Sequence, residues 1–296
     1  MADPAPEVEP RPEVEPRPEV EPVETTFTPK LLALDIDGTL LTPMPDSGVS
    51  AEQVTPAVRE AIDRAVNAGC LVVLASGRSP LSMSHVLQHL GLPREAKDPA
   101  LVVASNGAVT FTFPPMKVLT QVTFDAREAV RTVLEHVPDA AVAVEEHGIG
   151  YRVNRHFPEG ELDGEMIVTP IEEIVASQVS RVIIRDPEST SEDFVMLARK
   201  LGLHGTNYFI GWTAWLDIAP EGISKASGLL EIADMLDVAR RDVLAIGDGR
   251  NDIEMLEWAG RGVAMGQAPD EVKAIADHVT DVVENDGAAV EINRWF

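Results

Sequence analysis

Cysteine and basic residues are scarce in this chain of 296 residues. Cys70 is the single cysteine, so neither an intramolecular disulfide nor a cysteine-based zinc cluster can form. Lysine and arginine number 24 against 49 aspartates and glutamates, and the formal net charge is −25. A polyanion of this kind lacks the positive surface that attracts DNA, RNA and anionic membranes. We therefore expect no nucleic-acid partner and no membrane partner.

Long apolar runs are also missing. None approaches the roughly 20 residues that a transmembrane helix requires, and the N-terminus is acidic and proline-rich where a secretory signal would be basic and then apolar. With a single cysteine, these features predict a soluble cytoplasmic protein. The whole chain is 45% hydrophobic and 25% charged, which is the composition of a globular protein. Its length suits one large domain or two modest ones.

The first part of the chain differs in composition from the rest. Residues 7–22 repeat the unit EVEPRP, which offers almost nothing to bury, and eight of the 22 prolines fall within the first 30 residues. Proline at this density removes backbone donors and favours extended polyproline II geometry. We therefore predict that residues 1–29 form a disordered acidic tail. A docking motif is the alternative, and the repeat does not identify its partner.

From residue 30 onward, strand-like and helix-like segments alternate. Strands separated by helices imply right-handed crossovers and a parallel sheet, so both ends of this region predict an α/β fold. Between them, several strands follow one another without helices, which is typical of an inserted α+β module. The predicted strands of the two ends are 30–36, 71–75, 101–104, 243–246, 262–265 and 278–280, with helices at 55–68, 80–90, 224–236 and 251–258. The predicted middle elements are helices 125–136 and 192–201 and strands 140–144, 150–153, 181–185 and 208–218.

Polar residues follow four of the predicted parallel strands. Ligands of open parallel sheets bind at the carboxyl ends of the strands, so these residues are candidates for a shared site. If the first and fourth strands are neighbours, their carboxylates converge, and each pair about 4 Å apart repels by ~4 kcal/mol at an effective dielectric near 20. Such a cluster needs a cation, and an all-oxygen ligand set points to Mg²⁺. The candidates are Asp35 and Asp37, then Ser76, Gly77 and Arg78, then Ser105, Asn106 and Gly107, then Asp248, Asn251 and Asp252, with Lys225 at the start of a late helix.

These motifs resemble those of the haloacid dehalogenase-like hydrolases. The sequence SNGA at 105–108 narrows the resemblance to the Cof-type branch, a sugar-phosphatase-like group of subfamily IIB with a type 2B cap. The match covers the chain from residue 30 to its end. The four motifs of the family are matched by DIDGTL at 35–40, ASGR at 75–78, Lys225 and GDGRND at 247–252.

The resemblance implies a Rossmann-like parallel-sheet core with an inserted α+β cap. Asp37 and Ser76 lie only 39 positions apart, which leaves no room for a domain, whereas Ser76 and Lys225 lie 149 positions apart. After a helix, a strand and their flanks, roughly a hundred residues remain, enough for an independent module. The predicted core therefore comprises residues 30–112 and 211–296, and the predicted cap comprises residues 113–210.

The resemblance also implies a mechanism, in which a phosphoryl group passes to an aspartate and the aspartyl phosphate is then hydrolysed. Asp35 is the implied nucleophile, Asp37 the implied acid and base, and Lys225 the cation that screens the approaching anions. Two roles stay open: Asn251 either holds phosphate or steers Lys225, and Asp252 either reaches the metal through water or anchors Lys225. The implied phosphate-binding residues are Ser76, Gly77, Lys225 and Asn251, and the implied Mg²⁺ ligands are Asp35, Asp37, Asp248 and Asp252.

Other candidates carry weaker signals. Arg78 either contacts substrate or forms a structural ion pair, and His85 and His89 lie four apart on a predicted helix without a third metal ligand. Gly247 and Gly249 lack the further glycine of a dinucleotide loop. Candidates for gripping the leaving group in the cap are Arg152, Asn154, Arg155, His156, His204 and Asn207, and the aromatic residues Tyr208, Phe209, Trp212 and Trp215 either pack at the cap junction or stack on a sugar ring.

The function predicted on this basis is Mg²⁺-dependent hydrolysis of small phosphomonoesters, with sugar phosphates as the favoured substrates. Three alternatives stay open. The chain could be a phosphomutase, a dedicated sugar-phosphate phosphatase of the same superfamily, or a non-catalytic sugar-phosphate-binding regulator. A regulator would need no nucleophile, so the presence of both acids of the first motif argues against it.

Overall fold

The structure is a computed structural model, and it describes most of the chain. The described residues are 27–42, 54–93, 98–146, 148–186, 189–190, 192–194, 196, 206–210 and 215–296, with the backbone alone for 206–210. The predicted tail lies outside these ranges except for its last three residues. Of these, Phe27 packs edge-on against Trp295 with ring centroids 4.9 Å apart. Within the described ranges, every helix is too short or too polar to cross a membrane.

Strands and helices alternate at both ends of the described chain, as predicted. The strands are β1 (Leu31–Leu34), β2 (Leu71–Ala75), β3 (Ala100–Ala104), β4 (Val109–Phe113), β5 (Lys117–Gln121), β6 (Ala141–Glu146), β7 (Gly150–Val153), β8 (Glu165–Val168), β9 (Val182–Arg185), β10 (Thr206–Ile210), β11 (Trp215–Pro220), β12 (Val243–Gly247), β13 (Arg261–Ala264) and β14 (His278–Val279). The α-helices within the described ranges are α1 (Pro56–Asn67), α2 (Pro80–Leu90), α3 (Arg127–His136), α4 (Ile171–Ile174), α5 (Lys225–Met235), α6 (Ile253–Trp258), α7 (Asp270–Ile275) and α8 (Gly287–Ile292).

The first sheet has the strand order β14-β13-β12-β1-β2-β3-β4-β5. Neighbours from β14 to β3 are parallel, and β3, β4 and β5 pair antiparallel. Every residue of the central strands β1 and β12 is buried, because helices cover both faces of the sheet. Leu32 and Leu34 pack with α1, α2 and α8, whereas Leu31 and Ala33 pack with α5, α6 and α7. This sheet is the parallel α/β core that the sequence predicts.

Local sequence accounts for the ends of the first two helices. Thr55 accepts a hydrogen bond from the amide of Val58 at 3.2 Å, and Ser79 accepts one from the amide of Ser82 at 3.3 Å. Each of these N-caps precedes a proline, which lacks the amide hydrogen that the first helical turn leaves unpaired. Four residues, 76–79, therefore separate the end of β2 from the start of α2, and this turn carries Ser76.

The second sheet has the order β10-β11-β9-β6-β7-β8. We call these six strands the cap sheet. Its strands pair antiparallel except for β7 and β8. One face packs against α3 through Val130 and Val133. Because side chains alternate along strands, the other face carries Trp215 and Asp217 of β11, and Glu145 of β6.

Several elements differ from the prediction. The single strand expected over 208–218 is two strands, β10 and β11, and three short strands, β4, β5 and β8, were not foreseen. Most of the helix predicted at 192–201 lies outside the described residues. The domain boundaries at 113 and 210 stay a prediction, although β5 pairs in the first sheet and β11 in the cap sheet, so strand pairing changes sheets after residue 121 and after residue 220.

Candidate active site

Two aspartates that are far apart in the sequence meet at one edge of the first sheet. β1 and β12 are parallel neighbours in which Leu34 pairs with Ile246, so Asp35 and Asp248 leave the sheet at the same end. The amide of Asp35 donates to the carbonyl of Ile246 at 3.0 Å, which continues the pairing by one residue. Strand order thus provides the convergence of carboxylates that the sequence predicts.

The site is a buried cluster of three carboxylates and one ammonium. Carboxylate oxygens of Asp35, Asp248 and Asp252 all lie within 4.8 Å of one another, and the three residues are 4%, 1% and 0% exposed. The Nζ atom of Lys225 donates to Oδ1 of Asp35 at 2.6 Å and to Oδ1 of Asp252 at 2.7 Å. Lys225 is the first residue of α5 and is fully buried. One cation therefore faces three anions away from bulk water.

This arrangement changes how the groups ionise. Burial, and then the charge of Asp252, raise the pKa of Asp35 to about 7. Burial and the charge of Asp35 raise the pKa of Asp248 well above its ordinary value. Burial by itself would lower the pKa of Lys225, but the charges of Asp252 and Asp35 outweigh it and raise that pKa. The cluster is thus short of positive charge at neutral pH.

The turn after β1 has a glycine because Asp248 lies directly against it. Gly38 has a φ of +81°, and a Cβ atom at this position would lie 2.1 Å from Oδ2 of Asp248. Any other side chain would displace that carboxylate. Next in the turn, the Thr39 hydroxyl approaches Oδ2 of Asp35 at 3.4 Å.

The carboxylates differ in their capacity to hold a metal ion. Oδ2 of Asp248 is buried and has no hydrogen-bond partner among the described residues. Asp252, in contrast, uses Oδ1 for Lys225 and Oδ2 for the amides of Asp248 and Gly249, at 3.0 and 2.9 Å. The all-oxygen set and the unpaired atom of Asp248 fit a hard divalent cation. Both oxygens of Asp252 are engaged by the protein itself.

Asp37 pairs with Arg78, the last residue of the second motif. Arg78 donates from Nε to one oxygen of Asp37 at 2.8 Å and from its terminal nitrogen to the other at 2.6 Å. The pair is partly exposed, with side-chain exposures of 24% for Arg78 and 38% for Asp37. This is the bidentate geometry in which a guanidinium holds a carboxylate most firmly. Of the two roles left open for Arg78, the structure shows the ion pair.

The predicted phosphate-binding residues lie at the same edge of the sheet. Ser76 directly follows β2, which pairs with β1, and its Oγ accepts from the amide of Arg78 at 3.3 Å. The Nδ2 atom of Asn251 donates to Oδ1 of Asn106 at 3.0 Å. A Cβ atom on Gly77 would lie 3.1 Å from the Asn106 side chain, so Gly77 also borders this group. The predicted catalytic, phosphate-binding and metal-binding residues therefore lie together, at the carboxyl ends of β1, β2 and β12 and at the start of α5.

Most of the other candidates lie outside this cluster. His85 and His89 are exposed on α2. Arg152 pairs with Glu146 at 2.6 Å, and the carboxamide of Asn154 binds the backbone of β6 and its flank. Arg155 lies 3.6 Å from Asp139, and His156 is exposed. His204 and Trp212 lie outside the described residues, as do the side chains of Asn207, Tyr208 and Phe209, while Trp215 packs edge-on against Phe157.

Three buried charged residues of the cap sheet were missed from the sequence. Arg181 donates to both oxygens of Asp217 at 2.9 Å and to Glu145 at 3.2 Å. Asp217 in turn accepts from Asn106, at 3.1 Å, and Glu145 accepts from Ser105. Their signal in the sequence is a charged residue inside or beside an apolar strand, as in WLDIAP of β11.

Buried carboxylates and a lysine at the carboxyl ends of a parallel α/β sheet form a candidate active site of the kind that open α/β proteins place there. The profile of the haloacid dehalogenase-like hydrolases matches residues 32–292. The chain belongs to the haloacid dehalogenase-like hydrolase family.

Named relatives support this assignment. The chain is 28% identical over 273 residues to 5-amino-6-(5-phospho-D-ribitylamino)uracil phosphatase YcsE of Bacillus subtilis (strain 168), covering 90% of this chain and 95% of that protein. It is 29% identical to pyridoxal phosphate phosphatase YbhA of Escherichia coli (strain K12), covering 86% and 96%. Its fold resembles that of the subclass IIB sugar phosphatase BT4131, with a TM-score of 0.72, 24% identity and coverage of 90% and 98%. The enzyme class predicted from the sequence, a phosphatase of this family, is confirmed.

Proposed function

We propose that the protein hydrolyses small phosphomonoesters by transfer of the phosphoryl group to Asp35, with Mg²⁺ as cofactor. The position of Lys225 carries this proposal. Its buried ammonium lies between Asp35 and Asp252, in the cluster that also contains Asp248 with its unpaired oxygen. A site with an excess of buried negative charge is suited to a divalent cation, and the two cations together can accept an anionic phosphate.

The residues divide into metal ligands and anchors. Asp35, Asp248 and the backbone carbonyl of Asp37 would hold Mg²⁺, which when bound would supply positive charge against the phosphoryl oxygens. Asp252 would anchor Lys225, since both of its oxygens are already engaged by protein donors. Of the two roles left open for Asp252, we therefore propose the anchor.

In the first step, a carboxylate oxygen of Asp35 attacks the phosphorus and the bond to the leaving oxygen breaks. Lys225 and Thr39 approach the two oxygens of Asp35 and so fix its direction. This step requires Asp37 in its protonated form, which would donate its proton to the departing alkoxide, and the alkoxide would leave as the alcohol. Ser76, the amide of Gly77 and Asn251 would hold the phosphoryl oxygens.

In the second step, water attacks the phosphorus of the aspartyl phosphate and the bond to Asp35 breaks. Asp37, now a carboxylate, would take the proton from that water, and inorganic phosphate would leave. The two hydrogen bonds from Arg78 hold the Asp37 carboxylate in place while it waits for this proton.

The favoured substrates are phosphorylated sugars and polyols. The support is the relative that acts on a phosphoribityl compound. The cap sheet lies against the site, since Ser105 and Asn106 donate to its carboxylates and a Cβ atom built on Gly164, just before β8, would lie 2.9 Å from Cδ2 of Leu81 in α2. A cap in this position can exclude water and supply the contacts that select the leaving group.

Release of inorganic phosphate from p-nitrophenyl phosphate tests the proposal. We expect turnover with Mg²⁺, none with a chelator, and none in Asp35→Asn. Asp125→Asn is the matched control, because Asp125 is an exposed aspartate whose partner is Arg127. This control should turn over like the wild type.

The same assay separates the alternatives. Activity that survives in Asp35→Asn would refute Asp35 as nucleophile. Isomerised sugar phosphate with little free phosphate would indicate a mutase, and binding of sugar phosphate without turnover would indicate a regulator. A panel of sugar, polyol, nucleoside and pyridoxal monophosphates then identifies the preferred leaving group.

A further inference from the structure

The loop after β3 contacts both the turn that carries Ser76 and the residue that precedes Lys225. This loop, Ser105–Gly107, is a single 3-10 turn. The amide of Asn106 donates to the carbonyl of Ser76 at 3.1 Å. A Cβ atom on Gly107 would lie 2.0 Å from the carbonyl oxygen of Ser224, the residue before Lys225. The loop is thus wedged between the turn that carries Ser76 and the start of α5.

Asn106 is buried and has a left-handed backbone conformation that is uncommon for residues other than glycine. It is 1% exposed, with φ 52° and ψ 34°, in the left-handed region that asparagine tolerates better than most residues. Ser105 before it has the same φ. Two consecutive non-glycine residues in this region persist only where their surroundings hold them. The contacts of the Asn106 side chain supply that hold.

The Asn106 carboxamide is oriented by its partner in the cap sheet. Oδ2 of Asp217 lies 3.1 Å from Nδ2 of Asn106. A carboxylate only accepts hydrogen bonds, so the nitrogen of Asn106 must face Asp217 and its oxygen must face Asn251. Asn251 must then present an N–H to Asn106, at 3.0 Å. One carboxylate therefore fixes the direction of both amides.

Asp217 is itself firmly held. Arg181 grips both of its oxygens at 2.9 Å, and the indole Nε1 of Trp215 donates to Oδ1 at 3.1 Å. Asp217 and Arg181 are buried, so a broken bond would leave an unpaired polar group away from water. The chain from Asn251 through Asn106 to Asp217 thus ends on a rigid, charge-paired group of the cap sheet.

We propose that Asn106 is a positioning residue, which orients Asn251 toward the phosphoryl group and makes that orientation depend on the cap sheet through Asp217. The inference rests on the proposed function for the role of Asn251. It adds that phosphate binding and the observed position of the cap sheet stabilise each other, because the two hydrogen bonds of Asn106 form together. By linkage, phosphate binding stabilises the observed position of the cap sheet by the same free energy by which that position strengthens phosphate binding.

Inhibition by inorganic phosphate tests the first part. Asn106→Gly removes the carboxamide and keeps a residue that adopts the left-handed conformation without strain. We expect its inhibition constant for phosphate and its KM to rise about five- to tenfold, the loss of roughly one hydrogen bond, with a smaller change in kcat. In the Asn251→Ala background, Asn106→Gly should add less than twofold.

Thr280→Val is the matched control. It removes a buried hydrogen bond of 2.8 Å from Thr280 to the carbonyl of Gly287, next to the outermost strand β14, which β13, β12, β1 and β2 separate from β3. It should lower Tm and leave the phosphate constant unchanged. An unchanged phosphate constant in Asn106→Gly, or effects of Asn106→Gly and Asn251→Ala that multiply, would overturn the positioning role.

Tryptophan fluorescence tests the link to the cap sheet. Because Trp215 donates to Asp217, titration of the wild type with phosphate and Mg²⁺ should change its emission, and Trp215→Phe should abolish that change. Asn106→Gly at saturating phosphate should lose most of the amplitude. A flat wild-type signal, or full amplitude in Asn106→Gly, would overturn the link. Failure of the proposed function has a separate signature, namely a wild type without phosphate release or a fully active Asp35→Asn.

Discussion

Removing the buried ammonium of Lys225 should destabilise the protein far more than removing an exposed one. At 2.6 Å and an effective dielectric near 20, its attraction to Asp35 alone is about 6 kcal/mol. Burial of both charges offsets most of this energy in the wild type. In Lys225→Met, however, the carboxylates stay buried and lose their cation, and such a loss costs about 3–5 kcal/mol.

Lys30 provides a matched control. Its Nζ lies 2.7 Å from Asp242, nearly the same distance, but its side chain is 67% exposed. Exposed pairs contribute roughly 0–1 kcal/mol, so Lys30→Met should change Tm by at most a few degrees. Thermal unfolding at pH 8 without divalent cations measures both variants. At about 2–4 °C per kcal/mol, Lys225→Met should lower Tm by roughly 6–20 °C.

The pH dependence of this loss checks its cause. If the penalty comes from uncompensated carboxylates, protonation at pH 5 should recover much of it, since the pKa of Asp35 is already about 7 with Lys225 in place. Lys30→Met should show no such recovery. Equal losses of Tm in Lys225→Met and Lys30→Met at pH 8, or a loss that is the same at pH 5 and pH 8, would refute the reasoning.

Three further predictions follow from the site and the chain ends. Because the pKa of Asp35 is raised from 3.8 to about 7, its contribution to stability is full below about pH 4 and is lost as the pH rises through 7. Saturating Mg²⁺ should flatten this decline in a plot of Tm against pH. An unchanged slope would count against a metal at Asp35. Asp37→Asn should keep the wild-type phosphate inhibition constant while kcat falls by ~10²–10⁴, and an unchanged kcat would remove its role as acid and base. Deleting residues 1–26 should leave both kcat and Tm unchanged. Deleting residues 1–27 should leave kcat unchanged and lower Tm, because the contact between Phe27 and Trp295 is lost. A fall in kcat in the shorter deletion would place the tail in the active fold.

Much of the core was predictable because its signals are local. Apolar runs mark β1, β2 and β12, and Thr55 and Ser79 mark the starts of helices. The strands end in aspartate or serine where the parallel sheet exposes their carboxyl ends, so the motifs indicated an edge site before any contact was known. β10 and β11 merged into one predicted strand because both consist of strand-forming residues and the connection between them carries no strong turn signal.

The cap sheet was less predictable, and its buried charges illustrate why. Glu145 lies in β6, Asp217 lies in β11 and Arg181 directly precedes β9, and the sequence around each residue alone does not indicate that it is buried and paired. Only the pairing of β9 with β6 and β11 brings Arg181 between two carboxylates. Nothing near Asn106 in the sequence indicates that its carboxamide faces Asp217, 111 residues away.

The sequence alone determined the chemical groups, the order in which they follow buried strands, and the conformational freedom of turns such as that at Gly38. The tertiary structure decided which carboxylates share Lys225, that Arg78 holds Asp37, and that Asn106 joins Asn251 to the cap sheet. The reason is physical: secondary structure follows from the preferences of neighbouring residues, whereas burial and pairing of charges depend on strands that the chain brings together from distant positions.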